Sequence, residues 1–312
     1  MKCSILTLSS SLAILAGSAS AFPVVKKADI DLTVLQFALT LEHLENVFYK
    51  EALKKFPESK FLAAGYTKEY YSNIKYIAHD EEAHVKLLTN GIKAAGGMPV
   101  AACTYNFPMT DVKSFIGLSA ILEGVGTSAY LGGAPLITSK DYLTIAGSIL
   151  VTEALHTSMQ RQAVHHVPAA NPYGTPLTPS PVYTLAAAFI KKCPASNMML
   201  PFTAFPTLTA VQGMPASPGM PFEFSVASTL PSGFFVTFVN GLSITSVKPK
   251  SVSGKKFCAV PPASFGGQTY ALVTSTNMTG GAIADSGILF GPAIIELTPG
   301  SPTYNPNFHK KK

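Results

Sequence analysis

The spacing of apolar residues along this chain changes period once, a little past the middle. From Asp31 to about His166, apolar positions recur every three or four residues, as on amphipathic helices. Leu35, Ala38, Leu39, Glu42, Asn46 and Tyr49 share one face of a first helix, which ends near Pro57, while Gln36, His43 and Lys50 lie on another face. A second helix runs from about Thr67 to Gly96-Gly97, with Ile74, Ile77, Glu81, His84 and Leu88 on its apolar face. Lys75, Glu82, Lys86 and Thr89 fall about 100° away on the polar side, so phase selects Glu81 over Glu82 as the inward carboxylate. The same reasoning leaves His43 exposed and His79 on neither side. A third helix starts at Asp111, a good N-cap, and runs to about Leu131; a fourth follows Ser139 and stops near His165-His166, ahead of Pro168. Those two histidines settle against the negative end of the helix dipole. The stretch Phe56 to Tyr66 reads as a loop, and 97–110 as a crossover that could reach roughly 46–50 Å.

Beyond Pro168 the composition turns to Pro, Thr, Ser and Asn, and a short helical run, Val182 to Lys192, leads to Cys193. After Gly213 the period becomes two. Strands are expected at Phe222–Ser228, Phe234–Val239, Leu242–Val247, Phe257–Val260, Tyr270–Ser275, Ile288–Phe290 and Ala293–Leu297, with Asn240-Gly241 as a hairpin signal. Short strands at this density predict a small β-sandwich of immunoglobulin type.

The first residues carry a different signal. Lys2, an apolar run from Ile5 to Gly17 and then Ala19-Ser20-Ala21 have the layout of a secretory signal peptide, and the run is too short and serine-broken for a membrane anchor. The most apolar internal stretch, Phe115 to Ile137, contains Glu123 and five glycines, which suits a packed bundle helix. Charged residues make up 13% of the chain, against about 25% in an average soluble domain. Residues 22–168 hold 13 Lys/Arg and 14 Asp/Glu, whereas residues 169–312 hold 9 and 3. The basic half has no arginine and no basic–aromatic stripe, which argues against nucleic acid and allows attraction to a cell-wall glycan or acidic polymer. The only N-glycosylation sequon is Asn277-Met-Thr279. Three cysteines remain after signal removal, and Cys103, between two helices, pairs with Cys193, just past the helical part, leaving Cys258 free.

The chemistry lies in an internal repeat. Glu42 is followed by Tyr49 and then by Glu81-x-x-His84; Glu123 is followed by Tyr130 and then by Glu153-x-x-His156. Glu and His three residues apart on a helix point the same way, about one turn apart. Two helix pairs related by a pseudo-twofold bring all six side chains to one centre. Carboxylates converging on a bundle core repel unless a cation sits between them, and carboxylate oxygens with imidazoles suit iron or manganese, with zinc as a further option. Glu45 also faces inward and competes with Glu42, and Tyr49 and Tyr130 are either donors to the ligands or core aromatics.

Leu35-Gln-Phe-Ala-Leu-Thr-Leu-Glu42-His-Leu-Glu45-Asn-Val-Phe-Tyr49, with Leu122-Glu123-Gly-Val-Gly-Thr-Ser-Ala-Tyr130 and Ile149-Leu-Val-Thr-Glu153-Ala-Leu-His156, resembles the secreted ferritin-like family of fungal stress-response, late-sexual-development and plant desiccation-related proteins. The resemblance covers roughly Asp31 to Pro194. It implies two iron or manganese ions, with Glu42 and Glu123 as terminal ligands, Glu81 and Glu153 as bridges, and His84 and His156 capping one ion each. The expected architecture is an α+β multidomain chain: a signal peptide (1–21), a ferritin-like four-helix bundle (22–168), a proline-rich linker with a short helix (169–212), an immunoglobulin-like β-sandwich (213–304) and a basic tail (305–312). The expected function is Fe(II) oxidation or peroxide removal outside the cell. The competing expectation is a metal-free structural or wall-associated protein that works through its β domain.

Export with cleavage after Ala21 yields a chain beginning at Phe22, or at Ala28 if Lys26-Lys27 is also processed. N-terminal sequencing of the secreted product reads this directly, and a cytosolic product retaining Met1 overturns it.

Overall fold

The computed structural model describes residues 27–211 and 216–303, with side chains from Ile30 onward. The expected signal segment and the basic tail lie outside the described residues. Four long helices, α1 (Lys27–Lys55), α3 (Lys68–Ala94), α4 (Val112–Gly133) and α5 (Lys140–Ala163), form the helical half, with α1 packed along α3 and α4 along α5. Their starts are set by capping side chains. Thr67 accepts from the Tyr70 amide (3.1 Å) and Ser139 from the Tyr142 amide (3.3 Å). Asp111 accepts from the Ser114 amide (2.8 Å) while the Ser114 hydroxyl accepts from the Asp111 amide (3.0 Å), a reciprocal box. The α4 stretch, Val112–Leu136 with its following turn, is long and apolar enough to span a membrane by length and composition. It is a core helix here, with Phe115, Ile116 and Glu123 fully buried.

Two stretches differ from the sequence reading for reasons visible in their packing. The expected loop at Phe56–Tyr66 holds a short helix, α2 (Glu58–Ala63), because Phe61 drives into an aromatic cluster with Tyr71 and Phe115. The polar face of α1 is solvated at Lys50 but covered nearer its start. Gln36 is buried and bonds the crossover twice, donating to the Met98 carbonyl (2.7 Å) and accepting from the Val100 amide (2.9 Å). His43 is half-buried, 3.0 Å from the Val100 carbonyl, and burial lowers its pKa. These polar side chains satisfy backbone groups that would otherwise be orphaned under the crossover.

The crossover continues into β1 (Thr104–Tyr105), which pairs antiparallel with β2 (Ile190–Lys192). The helical run expected to reach Lys192 therefore ends earlier, as α6 (Pro179–Ala187). Its last residues are drawn into the ladder beside the Cys103–Cys193 disulfide.

The β-rich region holds two four-stranded antiparallel sheets, ordered β10-β9-β5-β6 and β3-β4-β8-β7. The strands are β3 (Leu208–Ala210), β4 (Phe222–Val226), β5 (Phe235–Asn240), β6 (Ser243–Val247), β7 (Ser251–Ser253), β8 (Lys256–Ala259), β9 (Gly267–Thr274) and β10 (Ile288–Leu297). The two segments expected at Ile288–Phe290 and Ala293–Leu297 are one strand with irregular pairing between Phe290 and Ala293. The hairpin loop is Gly241-Leu242, one residue later than its sequence signal. Asn240 is a buried strand residue whose amide reaches the Gly266 carbonyl (2.8 Å) and the Thr269 hydroxyl (2.8 Å), while Gly241 supplies the left-handed turn position at φ 55°.

The sheet containing β9 is covered on both sides. Val236, Phe238, Ala271 and Val273 face the other sheet, whereas Val239, Tyr270 and Leu272 join the helical core. The chain is thus layered helix, sheet, sheet. Polar bonds pin the contact: the Tyr270 hydroxyl meets Ser128 Oγ (2.8 Å), and Arg161 on α5 makes two 2.8 Å bonds to the Glu296 carboxylate on β10.

That arginine pair is buried on both sides. Glu296→Ala strands a guanidinium in the interior and should cost about 3–5 kcal/mol in urea unfolding. A loss below about 1 kcal/mol would mean that Arg161 finds water instead.

Candidate metal centre

Each inward position of the repeat lands in the same place. Glu42, Glu81, Glu123 and Glu153 are fully buried, and His84 and His156 are 7% and 6% exposed. They come from α1, α3, α4 and α5, one Glu from each, with the two histidines a turn beyond the glutamates of α3 and α5. His84 Nδ1 lies 3.2 Å from Glu42 Oε2, 3.5 Å from Glu81 Oε2 and 3.5 Å from Glu153 Oε1. His156 Nδ1 lies 3.1 Å from Glu81 Oε1 and 3.3 Å from Glu123 Oε2.

The ligand-type atoms sort into two overlapping groups: Glu42, Glu81, His84 and Glu153, and Glu81, Glu123, Glu153 and His156, each with its atoms within 4.8 Å of one another. Glu81 and Glu153 belong to both. Both oxygens of Glu81 and of Glu153, one each of Glu42 and Glu123, and Nδ1 of both histidines are buried without a hydrogen-bond partner. So many orphaned acceptors in one core are unfavourable for protein alone. They are what a pair of small cations would satisfy, and four carboxylates with two imidazoles are a donor set that iron and manganese accept. The residues therefore fit the group.

The surroundings hold these side chains in place reciprocally. Tyr49 on α1 donates to Glu123 Oε1 on α4, and Tyr130 on α4 donates to Glu42 Oε1 on α1. The tyrosines are donors to the carboxylates as well as core aromatics. The Tyr49 hydroxyl also meets Ser119 Oγ (2.7 Å) and accepts from Gln160 Nε2 (3.1 Å), and Gln160 Oε1 accepts from Tyr70. On the far side of His156, Nε2 is 3.3 Å from Asp80 Oδ2, a carboxylate placed to accept the Nε2 proton, and the ring turns Nδ1 toward the centre. Glu45 is buried too, a fifth carboxylate beside the other four.

Asp80, Ser119, Tyr70 and Gln160 were not among the sequence candidates. A signal existed for two of them: Asp80 immediately precedes Glu81, and Gln160 lies seven residues after Glu153, the interval that separates each of Glu42 and Glu123 from its tyrosine. His43 and His79 lie away from the centre, the latter exposed. His166 Nδ1 sits 3.8 Å from Glu296. Asn277 is exposed.

Electrostatics follow from the burial. Burial, then the charges of Glu42 and Glu123, push Glu81 up to about 7 against the pull of the two histidines. Burial and neighbouring carboxylates hold Glu153 and Glu45 well above the carboxylate range. For the histidines burial acts downward, but facing carboxylates outweigh it: Glu42 and Glu81 raise His84 to about 10, and Glu123 and Glu81 raise His156 to about 11. Burial and the adjacent carboxylates raise Tyr49 and Tyr130.

Residues 30–166 match a family model described as a ferritin-like domain. The protein rds1 of Schizosaccharomyces pombe is 27% identical over 290 residues, spanning 90% of this chain and 70% of rds1, so the likeness runs on into the β-rich region. Two solved structures overlap the chain more distantly. A conserved hypothetical protein, rv2844, from Mycobacterium tuberculosis is 15% identical, with 47% of this chain and 99% of that chain covered and a TM-score of 0.39. A structure from Bacillus anthracis, titled as ferritin like, diiron-carboxylate proteins, is 13% identical, with 45% and 99% covered and a TM-score of 0.39.

A pH dependence follows for the metal-free protein. Glu81, His84 and His156 bind protons more tightly folded than unfolded, so each contributes stability below its unfolded value, about 4.5 for Glu81 and 6.5 for the histidines. That contribution is lost as pH rises through about 7, 10 and 11 respectively. The melting temperature in chelator should fall from pH 5 to pH 9, and Mn(II) should raise it more at the alkaline end, because metal binds the deprotonated ligands. A chelated protein that grows more stable toward pH 9 would contradict this.

Proposed function

Residues 30–166 are a ferritin-like domain, and on that premise we propose that this chain binds two iron or manganese ions and serves as an oxidoreductase outside the cell, oxidising Fe(II) or consuming peroxide. The observation that carries the reading is the pair of overlapping four-ligand groups that share Glu81 and Glu153. Glu42 and His84 would hold one ion, Glu123 and His156 the other, and Glu81 and Glu153 would bridge them. When bound, such a pair supplies two adjacent one-electron centres.

The chain's own residues prepare that chemistry. Complete burial of the four glutamates excludes bulk water. Tyr49 and Tyr130 orient the terminal carboxylates by direct hydrogen bonds, which leaves the second oxygen of each turned toward the histidines. With a metal bound, Asp80 would hold the remaining proton on the outer nitrogen of His156 while the inner one binds the ion. The extracellular setting is supported by the signal-like first 21 residues and by the disulfide. The β-rich region, read as an immunoglobulin-like sandwich, would present the basic half of the chain to a cell-wall glycan or acidic polymer.

Glu81 and its neighbour Glu82 separate ligand from bystander. Glu82 is solvent-facing and paired with Lys50 (2.8 Å) and Lys86 (2.5 Å). Glu81→Ala deletes a ligand from both ions and should lose most bound metal, whereas Glu82→Ala should keep the parent's two ions per chain. Elemental analysis after anaerobic reconstitution with Fe(II) or Mn(II) decides it. A parent that takes up neither metal, or a Glu82 variant that alone empties the site, would sink the assignment.

A further inference from the structure

Glu42, Glu81, Glu123 and Glu153 bring four negative charges, which two divalent ions neutralise. The core holds one carboxylate more. Glu45 is 4% exposed, and its Oε2 has no hydrogen-bond partner. The ion-pair contacts of the two histidines go to the other four glutamates and, from the outer nitrogen of His156, to Asp80, and none goes to Glu45. On its outer side Glu45 faces a small cavity of about 20 Å³ lined by Leu41, Leu44, Leu122, Val125, Leu185 and Ala186, which offers no counter-charge. Among the described residues no basic side chain forms an ion pair with Glu45, so the cations placed to answer its charge are those of the metal centre.

The repeat shows that the position is built for this. Glu45 lies three residues after Glu42, and the matching position three residues after Glu123 is Gly126. A Cβ at Gly126 would stand 2.9 Å from Glu45 Oε1 and 2.5 Å from Glu153 Oε2. The glycine therefore leaves the space into which Glu45 reaches across from α1, and it brings that carboxylate beside the shared ligand Glu153. One half of the pseudo-symmetric site supplies an extra carboxylate, and the other half gives up its side chain to admit it.

We propose that Glu45 is a fifth carboxylate of the metal pair, whose negative charge matches the additional positive charge present once one of the two ions has lost an electron. This rests on the metal-binding reading above. With four glutamates the divalent pair is neutral and its one-electron oxidised form carries an uncompensated positive charge in a buried site. With Glu45 the oxidised form is the neutral one, so the residue biases the centre toward oxidation and toward keeping the oxidised ion.

The test compares the parent with Glu45→Gln, which keeps the shape and removes the charge, and with Glu45→Asp, which keeps the charge. Each is loaded anaerobically with Fe(II), assayed for iron per chain, and titrated with redox mediators that accept the electron, while the metal-free forms are melted to confirm folding. Glu45→Gln should keep two Fe(II) and the parent's metal-free melting temperature. Its first oxidation should move positive by at least about 59 mV, a tenfold loss of preference for the oxidised form. Glu45→Asp should stay with the parent. An unshifted Glu45→Gln, or an equal shift in Glu45→Asp, overturns the charge role. Fewer than two Fe(II) in Glu45→Gln makes Glu45 an ordinary ligand instead. A parent without iron overturns the metal reading itself, a failure distinct from the others.

Discussion

Five glutamates packed into the centre of an apolar bundle repel one another, and nearly everything around them is arranged to hold them against that repulsion. Burial and mutual charge raise Glu45, Glu81 and Glu153, while the two histidines offer at most two positive charges in return. The tyrosines reach from one helix pair to the carboxylate of the other, so that α1 and α4 each fix a carboxylate they do not carry. Positive ions at the centre would turn a strained interior into a stabilised one, which couples folding to metal uptake.

The helical half was readable because its evidence is local. Period, caps at Thr67, Asp111 and Ser139, and Glu-x-x-His spacing are all properties of one helix at a time. Phase alone separated Glu81 from Glu82, and the structure buries the first and pairs the second with Lys50 and Lys86. What escaped was decided between elements. Gln36 and His43 look like surface residues until the crossover lies on them, and Asn240 looks like a turn residue until its amide finds Gly266 and Thr269.

The centre was legible to a similar depth. The repeat pointed to the six side chains that the structure brings together, and it marked Tyr49 and Tyr130 without revealing that each serves the opposite pair. Gly126 carries no chemistry that a motif could announce. Its meaning comes only from the two carboxylates that converge on the space it leaves.

The sheet β10-β9-β5-β6 has a consequence for how the chain comes apart. It lies against α4 and α5, the helices that carry Glu123, Glu153 and His156, and it is fastened there by Tyr270 and by the Arg161–Glu296 pair. A composition break near Pro168 suggests two modules strung in series, but the interior does not respect that division: Val239, Tyr270 and Leu272 complete the helical core. Peeling the sheet away would uncover the backs of two helices that line the carboxylate–histidine cluster, so the β-rich region acts as a mechanical backing for the centre. Loosening at the far end of the chain would then be felt as a slackening of the cluster itself.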